Sequence, residues 1–270
     1  MGKNSGTKRP RTNTPKKKRG ARLGQHFLTA QWAAAALAAS VRIEPGMSVL
    51  EIGPGTGNLT KELLRLGAQG VAVEKDSLLI DTLHTRFSSE ISSGQLTILN
   101  EDIRNFYPEQ AGLSAGRYIL AANIPYYITG DIIRTFLSAK AHPSRMAVLV
   151  QKEVAVRIAR EKKESILSIS VKVFGTPKYV KTVAKGCFSP APSVDSAILL
   201  IDDISHARFT HVSEERFFTV VKRAFAEKRK MLGGNLKLLV APSHFEDCGI
   251  SPKARAESLT VTQWHCLAQE

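Results

Sequence analysis

The 270-residue chain has three cysteines, Cys187, Cys248 and Cys266, widely spaced and in no Cys-x-x-Cys pair. That spacing argues against a disulfide framework and against a zinc site, so all three read as reduced thiols and no metal is expected. Of seven histidines only His206 and His211 come near ligand spacing. With no cysteine pair to complete a site, they read as surface or capping residues. Long apolar runs are missing as well: nothing approaches the roughly 20 uninterrupted apolar residues of a membrane span, and the basic start is not followed by an apolar signal core. A cytoplasmic protein with no membrane partner is the expectation. Acids, too, are missing from the start of the chain. Ten of the 38 basic residues precede the first acid, Glu44, which leaves 28 basic against 24 acidic residues in the rest. Most of the formal charge of +14 therefore sits in a tail, read here as residues 1–21. Its "KRPRTNTPKKKRG" has no apolar periodicity and is expected to be disordered alone. It reads either as a solubilising extension or as an arm for phosphates whose grip weakens with salt.

What is present is an alternation of strands and helices. After an alanine-rich helix opened by Thr29, strands are predicted at 48–53, 70–75, 95–102, 117–123 and 145–152, with helices at 58–67, 77–89 and 129–140 between them. This rhythm predicts an α/β fold, a doubly wound and mostly parallel sheet with ligands at the carboxyl ends of its strands. From about Pro190 the texture changes to a proline-rich loop, one more strand and then helical segments broken by Gly-Gly. A main domain at 22–205 and a small helical C-terminal domain at 206–270 follow from that change.

Three strand ends in succession carry chemistry. "VLEIGPGTGNLT" passes from a strand through Gly53, Gly55 and Gly57 into a helix, where glycines let the backbone turn sharply and approach a ligand. Alone this is shared by nicotinamide, flavin and S-adenosylmethionine sites. Glu74 closes the second strand, where its carboxylate can accept from ribose hydroxyls. Asp102 lies beyond the third, placed to accept from an adenine amine, with Ile103 against the base. Each is by itself most simply a solvated acid; together they point to an adenosyl ligand. The fourth strand ends in "NIPYYIT". There Asn123 offers a carbonyl acceptor, Pro125 fixes the backbone and Tyr126 supplies a ring for stacking on a base.

The stretches "LGQHFL" (23–28), "LEIGPGTGNLT" (50–60), "VEKD" (73–76), "NEDI" (100–103), "NIPYYIT" (123–129), "FSPAPSVDSAILLI" (188–201) and "FFTVVKRAFAEKRKML" (217–232) resemble, in order, the motifs of the KsgA-type ribosomal RNA adenine N6,N6-dimethyltransferases. The likeness covers about residues 22 to 260. It implies a class I methyltransferase that uses S-adenosylmethionine to dimethylate two adjacent adenines near the 3′ end of small-subunit (16S) ribosomal RNA during 30S biogenesis. Carried over by motif, His26 and Leu28 line the cofactor entrance, Gly53 the methionine end, Glu74 the ribose, and Asp102 with Ile103 the adenine, with Gly55 a further cofactor contact. Asn123 serves cofactor and target amine, and Tyr126 and Phe188 sandwich the target base. His26 stands where the family often has asparagine. Lys222, Arg223, Lys228, Arg229 and Lys230 are the candidate contacts for RNA phosphates, against the plainer reading of a solvated helix face. The partner implied is small-subunit RNA in an immature 30S particle, and a monomer is the default expectation.

Competing readings are a sister group acting on large-subunit RNA, which shares Asn-Ile-Pro, and DNA or protein-glutamine methyltransferases, which more often carry Asn-Pro-Pro-Tyr. A third is an assembly factor for which binding to immature subunits is the main role.

Overall fold

The computed structural model describes residues 25–227 and 230–269. The tail, Leu23 and Gly24 of the first motif, and Lys228 and Arg229 of the basic cluster lie outside the described residues. A two-residue strand β1 (Phe27–Leu28) precedes helix α1 (Gln31–Ser40). Thr29 does not cap that helix: Ala30 occupies the cap position, and the Thr29 hydroxyl donates to the Cys187 carbonyl at 2.9 Å.

Next come β2 (Ser48–Ile52), α2 (Asn58–Arg65), β3 (Gln69–Glu74), α3 (Ser77–Arg86), α4 (Ser88–Ser92), β4 (Leu96–Asn100), β5 (Tyr118–Ala122), α5 (Tyr126–Leu137) and β6 (Arg145–Gln151). The strands fall where alternation predicted them. Helix α5, however, begins at Tyr126 and not at residue 129, because Pro125 supplies the extended cap residue and the helix can start directly after it. The stretch 153–187 carried no prediction, and Lys152, expected to close the fifth strand, opens a helix instead. The chain folds there as α6 (Lys152–Ala159), α7 (Ile166–Phe174) and β7 (Thr176–Val183), with Ser165 and Ser168 forming a reciprocal cap on α7. Then β8 (Phe188–Ser189) pairs antiparallel with β1, and β9 (Ser196–Asp202) runs between β6 and β7.

The large sheet has the order β4-β3-β2-β5-β6-β9-β7, parallel from β4 to β6 and antiparallel at its last two strands. Its central strand β5, Tyr-Ile-Leu-Ala-Ala, is buried at every position, as a strand covered by helices on both faces must be. At the far edge the carboxylate of Asp202, 2 % exposed, gathers Arg145 at 3.1 Å, Lys178 at 2.9 Å and Arg42. Burial opposes its charge, but Lys178 and Arg42 outweigh that and hold its pKa below the usual carboxylate value.

The chain ends in α8 (Glu214–Phe225), α9 (Leu232–Leu236), α10 (Pro242–Asp247) and α11 (Val261–Ala268). Phe217, Val221, Leu232 and Trp264 from these helices join Ile201, Phe174 and Val148 in one contiguous apolar cluster. Among the histidines, His206 donates from Nε2 to the Leu137 carbonyl at the end of α5 and stacks on His142, a capping role.

The cysteine expectation is corrected here. Cys248 and Cys266 form a disulfide, and only Cys187 is free. The pairing is tertiary, since Cys248 follows α10 and Cys266 lies in α11, so no local spacing signalled it. His244 Nε2 approaches Cys248 Sγ at 3.8 Å, and the three donor atoms lie within 4.8 Å of one another. With the sulfurs bonded to each other, no thiolate is left there for a metal.

Candidate active site

The carboxyl ends of β2, β3, β4 and β5 open onto a cleft closed on one side by β1. The glycine loop forms its floor. Gly57 has φ of +82°, and a Cβ there would meet the Phe87 ring at 2.4 Å; one on Gly55 (φ +58°) would sit 3.0 Å from the Phe27 ring. Gly57 therefore requires glycine for space as well as for backbone angle, and Gly55 for its backbone angle beside a closely set ring. Asn58, first residue of α2, donates from its amide to the Leu28 carbonyl at 2.8 Å and ties β1 to the loop.

Glu74, at the end of β3, is 3 % exposed and accepts from the backbone N–H of Gly55 at 3.1 Å and of Asp76 at 2.8 Å. Burial raises its pKa and these two amides pull it back. Two further lone pairs remain for donors such as ribose hydroxyls. Asp102, after β4, is held well below the usual carboxylate range by Arg104 and then Lys75. Lys75 Nζ lies 2.8 Å and Arg104 NH2 2.5 Å from Asp102 Oδ2, and the Arg104 N–H and Nε reach Oδ1. An adenine amine at this carboxylate would share it with two cations. Ile103, next in sequence, is buried against the same wall.

Asn123 follows β5. Its Nδ2 donates to the His26 carbonyl at 3.2 Å, which fixes the amide's orientation and leaves Oδ1 without a donor among the described residues. Tyr126 opens α5, half-buried, with its hydroxyl 2.6 Å from Ser196 Oγ and its ring stacked on His26 at 5.9 Å. Burial raises the phenol's pKa, with the Ser196 bond opposing it. His26 Nδ1 in turn donates to the Pro190 carbonyl at 2.8 Å, so the ring is held on both sides.

His26, Leu28, Gly53, Gly55, Glu74, Asp102, Ile103, Asn123 and Tyr126 thus all line one cleft. Phe188 does not. It is 4 % exposed, pairs with Leu28 across the β1–β8 ladder and packs with Ala33, Leu37 and Val183, because its strand faces the apolar layer beneath. The ring facing Tyr126 is that of His26. Within the basic cluster, Lys222 is exposed on a second cleft with Arg134, Glu214 and Glu215. Arg223 donates to the Asn235 carbonyl at 3.1 Å, and Lys230 pairs with Glu227 at 2.8 Å.

Sequence reasoning missed Glu51. It lines the cleft at 3 % exposure, and its Oε1, like the Thr60 hydroxyl nearby, is buried without a hydrogen-bond partner. Burial pushes its pKa up to about 8, with Thr60 opposing and the neighbouring Glu74 charge adding. A single carboxylate among the apolar residues of Ser-Val-Leu-Glu-Ile, two residues before Gly53, was the available signal.

A strand order with its antiparallel pair at one edge, a glycine turn after β2, an acid after each of the next two strands and an oriented Asn-Ile-Pro-Tyr define a class I S-adenosylmethionine-dependent methyltransferase. The residues fit that cofactor on the structure's own terms: a turn in which Gly53 and Gly55 line the cleft at positive φ, a carboxylate held by amides, and an orphaned buried oxygen at Glu51.

Likeness to known proteins carries the assignment further. The profile described as "Ribosomal RNA adenine dimethylase" matches residues 16–270, and the chain belongs to that family. It is 38 % identical over 255 residues to "Ribosomal RNA small subunit methyltransferase A" of Dehalococcoides mccartyi (strain CBDB1), covering 92 % of this chain and 87 % of the relative. Among solved structures, a dimethyladenosine transferase from Plasmodium falciparum superposes with a TM-score of 0.75 at 23 % identity over 90 % of this chain and 96 % of that one. The 23S rRNA methyltransferase ErmE gives 0.71 at 24 % identity over 90 % and 98 %. At such identities these two likenesses speak to the fold. No helix among the described residues is long and apolar enough to cross a membrane.

Proposed function

We propose that this chain transfers methyl groups from S-adenosylmethionine to the N6 amines of two adjacent adenines near the 3′ end of small-subunit ribosomal RNA. The observation that carries it is Asn123: an amide held by the His26 carbonyl, with its Oδ1 unpaired among the described residues, in the cleft that Tyr126 also lines. The site roles read from the sequence are part of this proposal, except that the ring facing Tyr126 is His26 in place of the buried Phe188. So are substrate delivery as an immature 30S particle, a monomeric and cytoplasmic enzyme, catalysis without a metal, and the division of labour between residues 22–205 and the RNA-contacting helices of 206–270.

An adenine N6 lone pair is delocalised into the ring, which makes the amine a weak nucleophile. Asn123 Oδ1 and the main-chain carbonyl of Ile124 accept from its two N–H groups, favouring a tetrahedral nitrogen; the Pro125 carbonyl already accepts from the Ile128 N–H and the Thr129 hydroxyl. S-adenosylmethionine, when bound, supplies an electrophilic methyl on a good leaving group. Glu74, Asp102 and the glycine loop hold the donor's nucleoside while Tyr126 and His26 hold the base, so the protein's work is mainly alignment. Such positioning accounts for roughly 7–11 kcal/mol of a barrier. No base is required, because the alkylated amine is acidic and releases its proton after transfer. Extruding an adenine costs a few kcal/mol, less from a loop, and stacking on Tyr126 offsets part of it.

The test is tritium transfer from labelled S-adenosylmethionine to undermethylated 30S particles, 50S particles and duplex DNA side by side, with product nucleosides resolved. Dimethyladenosine from the 30S particle alone is expected. Transfer to 50S particles in its place would move the enzyme to the large-subunit group.

A further inference from the structure

Tyr126 and Tyr127 are consecutive in the first turn of α5, and an α-helix turns about 100° per residue. One ring therefore points in and the next points out. Tyr126 is half-buried and bonded to Ser196, whereas Tyr127 is 73 % exposed, lines the mouth of the same cleft, and has no hydrogen-bond partner among the described residues. A large ring left open to water at a ligand's doorway is not explained by packing. Two cations share that mouth. Lys75 lines it and Arg104 lies within electrostatic reach of the Tyr127 hydroxyl; both pair with the single Asp102 carboxylate, so the trio keeps a net positive charge, and more than half of each cationic side chain is exposed. An open aromatic face beside two positive charges, at the entrance to a base pocket, matches the chemistry of single-stranded nucleic acid: a base to stack and phosphates to pair.

We propose that Tyr127, with Lys75 and Arg104, seats the nucleotide next to the target adenine. The inference rests on the RNA-methylating reading above and adds a second base contact to it. A base extruded towards Asn123 leaves its neighbour at the mouth, because one phosphodiester link joins them. When the two substrate adenines are adjacent, that neighbour is in one of the two reactions the other adenine of the pair, whose purine face is large enough to cover an exposed tyrosine ring. Stacking of this kind tolerates any base, so the platform contributes grip and register more than sequence choice.

The experiment is fluorescence anisotropy of the full chain with a fluorescein-labelled ten-nucleotide oligoadenylate RNA, for the wild type, Tyr127→Ala and Tyr127→Phe, alongside calorimetric titration with S-adenosylmethionine. Tyr127→Ala is expected to weaken RNA binding about tenfold, within the range of removing one stacked ring, while Tyr127→Phe stays within about twofold and cofactor affinity is unchanged. In Lys75→Ala/Arg104→Ala the log-log salt dependence should flatten by about 0.7 for each phosphate that is no longer neutralised. Unaltered RNA binding by Tyr127→Ala overturns the proposal, as does an equal weakening in Tyr127→Phe, which would assign the effect to the hydroxyl. A parallel fall in cofactor affinity in Tyr127→Ala overturns it too, by placing the ring on the cofactor. If the wild type transfers no methyl to 30S particles yet Tyr127→Ala still weakens oligoadenylate binding, the platform stands and the substrate assignment fails.

Discussion

The cleft at the strand ends and the helical region after residue 206 are built by different means. In the cleft, each functional group follows directly from the end of a strand, so Gly53, Glu74, Asp102 and Asn123 are brought together by sheet register alone. In the helical region, position depends on tertiary packing: Arg223 is tied to the Asn235 carbonyl across a turn, and Cys248 meets Cys266 from another helix. A site set by register can be damaged chemically without being unfolded. A region set by packing fails the other way round.

That contrast can be broken by substitution. Trp264 is fully buried in α11, and Trp264→Ala is expected to lower stability by about 3–5 kcal/mol. Urea unfolding followed by circular dichroism measures it, and a decrease below about 1 kcal/mol would mean the helical region does not depend on this packing. In the cleft, Asn123→Ala should reduce methyl transfer about 10²- to 10³-fold, the size of removing one aimed polar group, with the urea midpoint and RNA affinity nearly unchanged. If transfer and stability fall together, the amide is part of the scaffold and not of the chemistry.

Glu51 sharpens the comparison through pH. Its folded pKa of about 8 lies above its unfolded value, so the folded protein is favoured where Glu51 is protonated in both states and loses stability as pH rises towards 8. Glu51→Gln, which keeps the shape without the charge, should therefore melt above the cofactor-free wild type at pH 8.5, with the gap shrinking as pH falls to 5.5. A gap independent of pH would place the effect in packing. The smallest effect is expected at the surface of the helical region. Lys222→Glu/Lys230→Glu should weaken binding to 30S particles a few-fold and flatten its salt dependence by about 0.7 for each phosphate released from pairing, leaving the melting temperature alone. An unchanged salt slope would assign those charges to the solvated face.

How far the sequence could be read follows the same division. The parallel strands, the glycine loop and the cleft residues were legible because each is a local pattern: an apolar run, then a residue whose chemistry is out of place in one. Glu51 was hidden inside the strand itself, where a carboxylate looks like an ordinary outward-facing position. Phe188 resembles an exposed stacking residue by motif, yet its two-residue pairing with Leu28 turns it into the apolar layer. The pairing of Cys248 and Cys266 and the elements of 153–187 depend on which surfaces meet, and no short window of sequence contains that information.

The apolar cluster that runs from Leu50 in β2 through Phe174 in α7 to Trp264 in α11 has no break at residue 206. Heat, for this reason, encounters one object. The described chain should cross a single melting transition, and a protease acting under native conditions should release no folded fragment bounded near that position. An alteration among the last helices is then felt as a change in the fraction of time the methyl-transfer cleft exists at all.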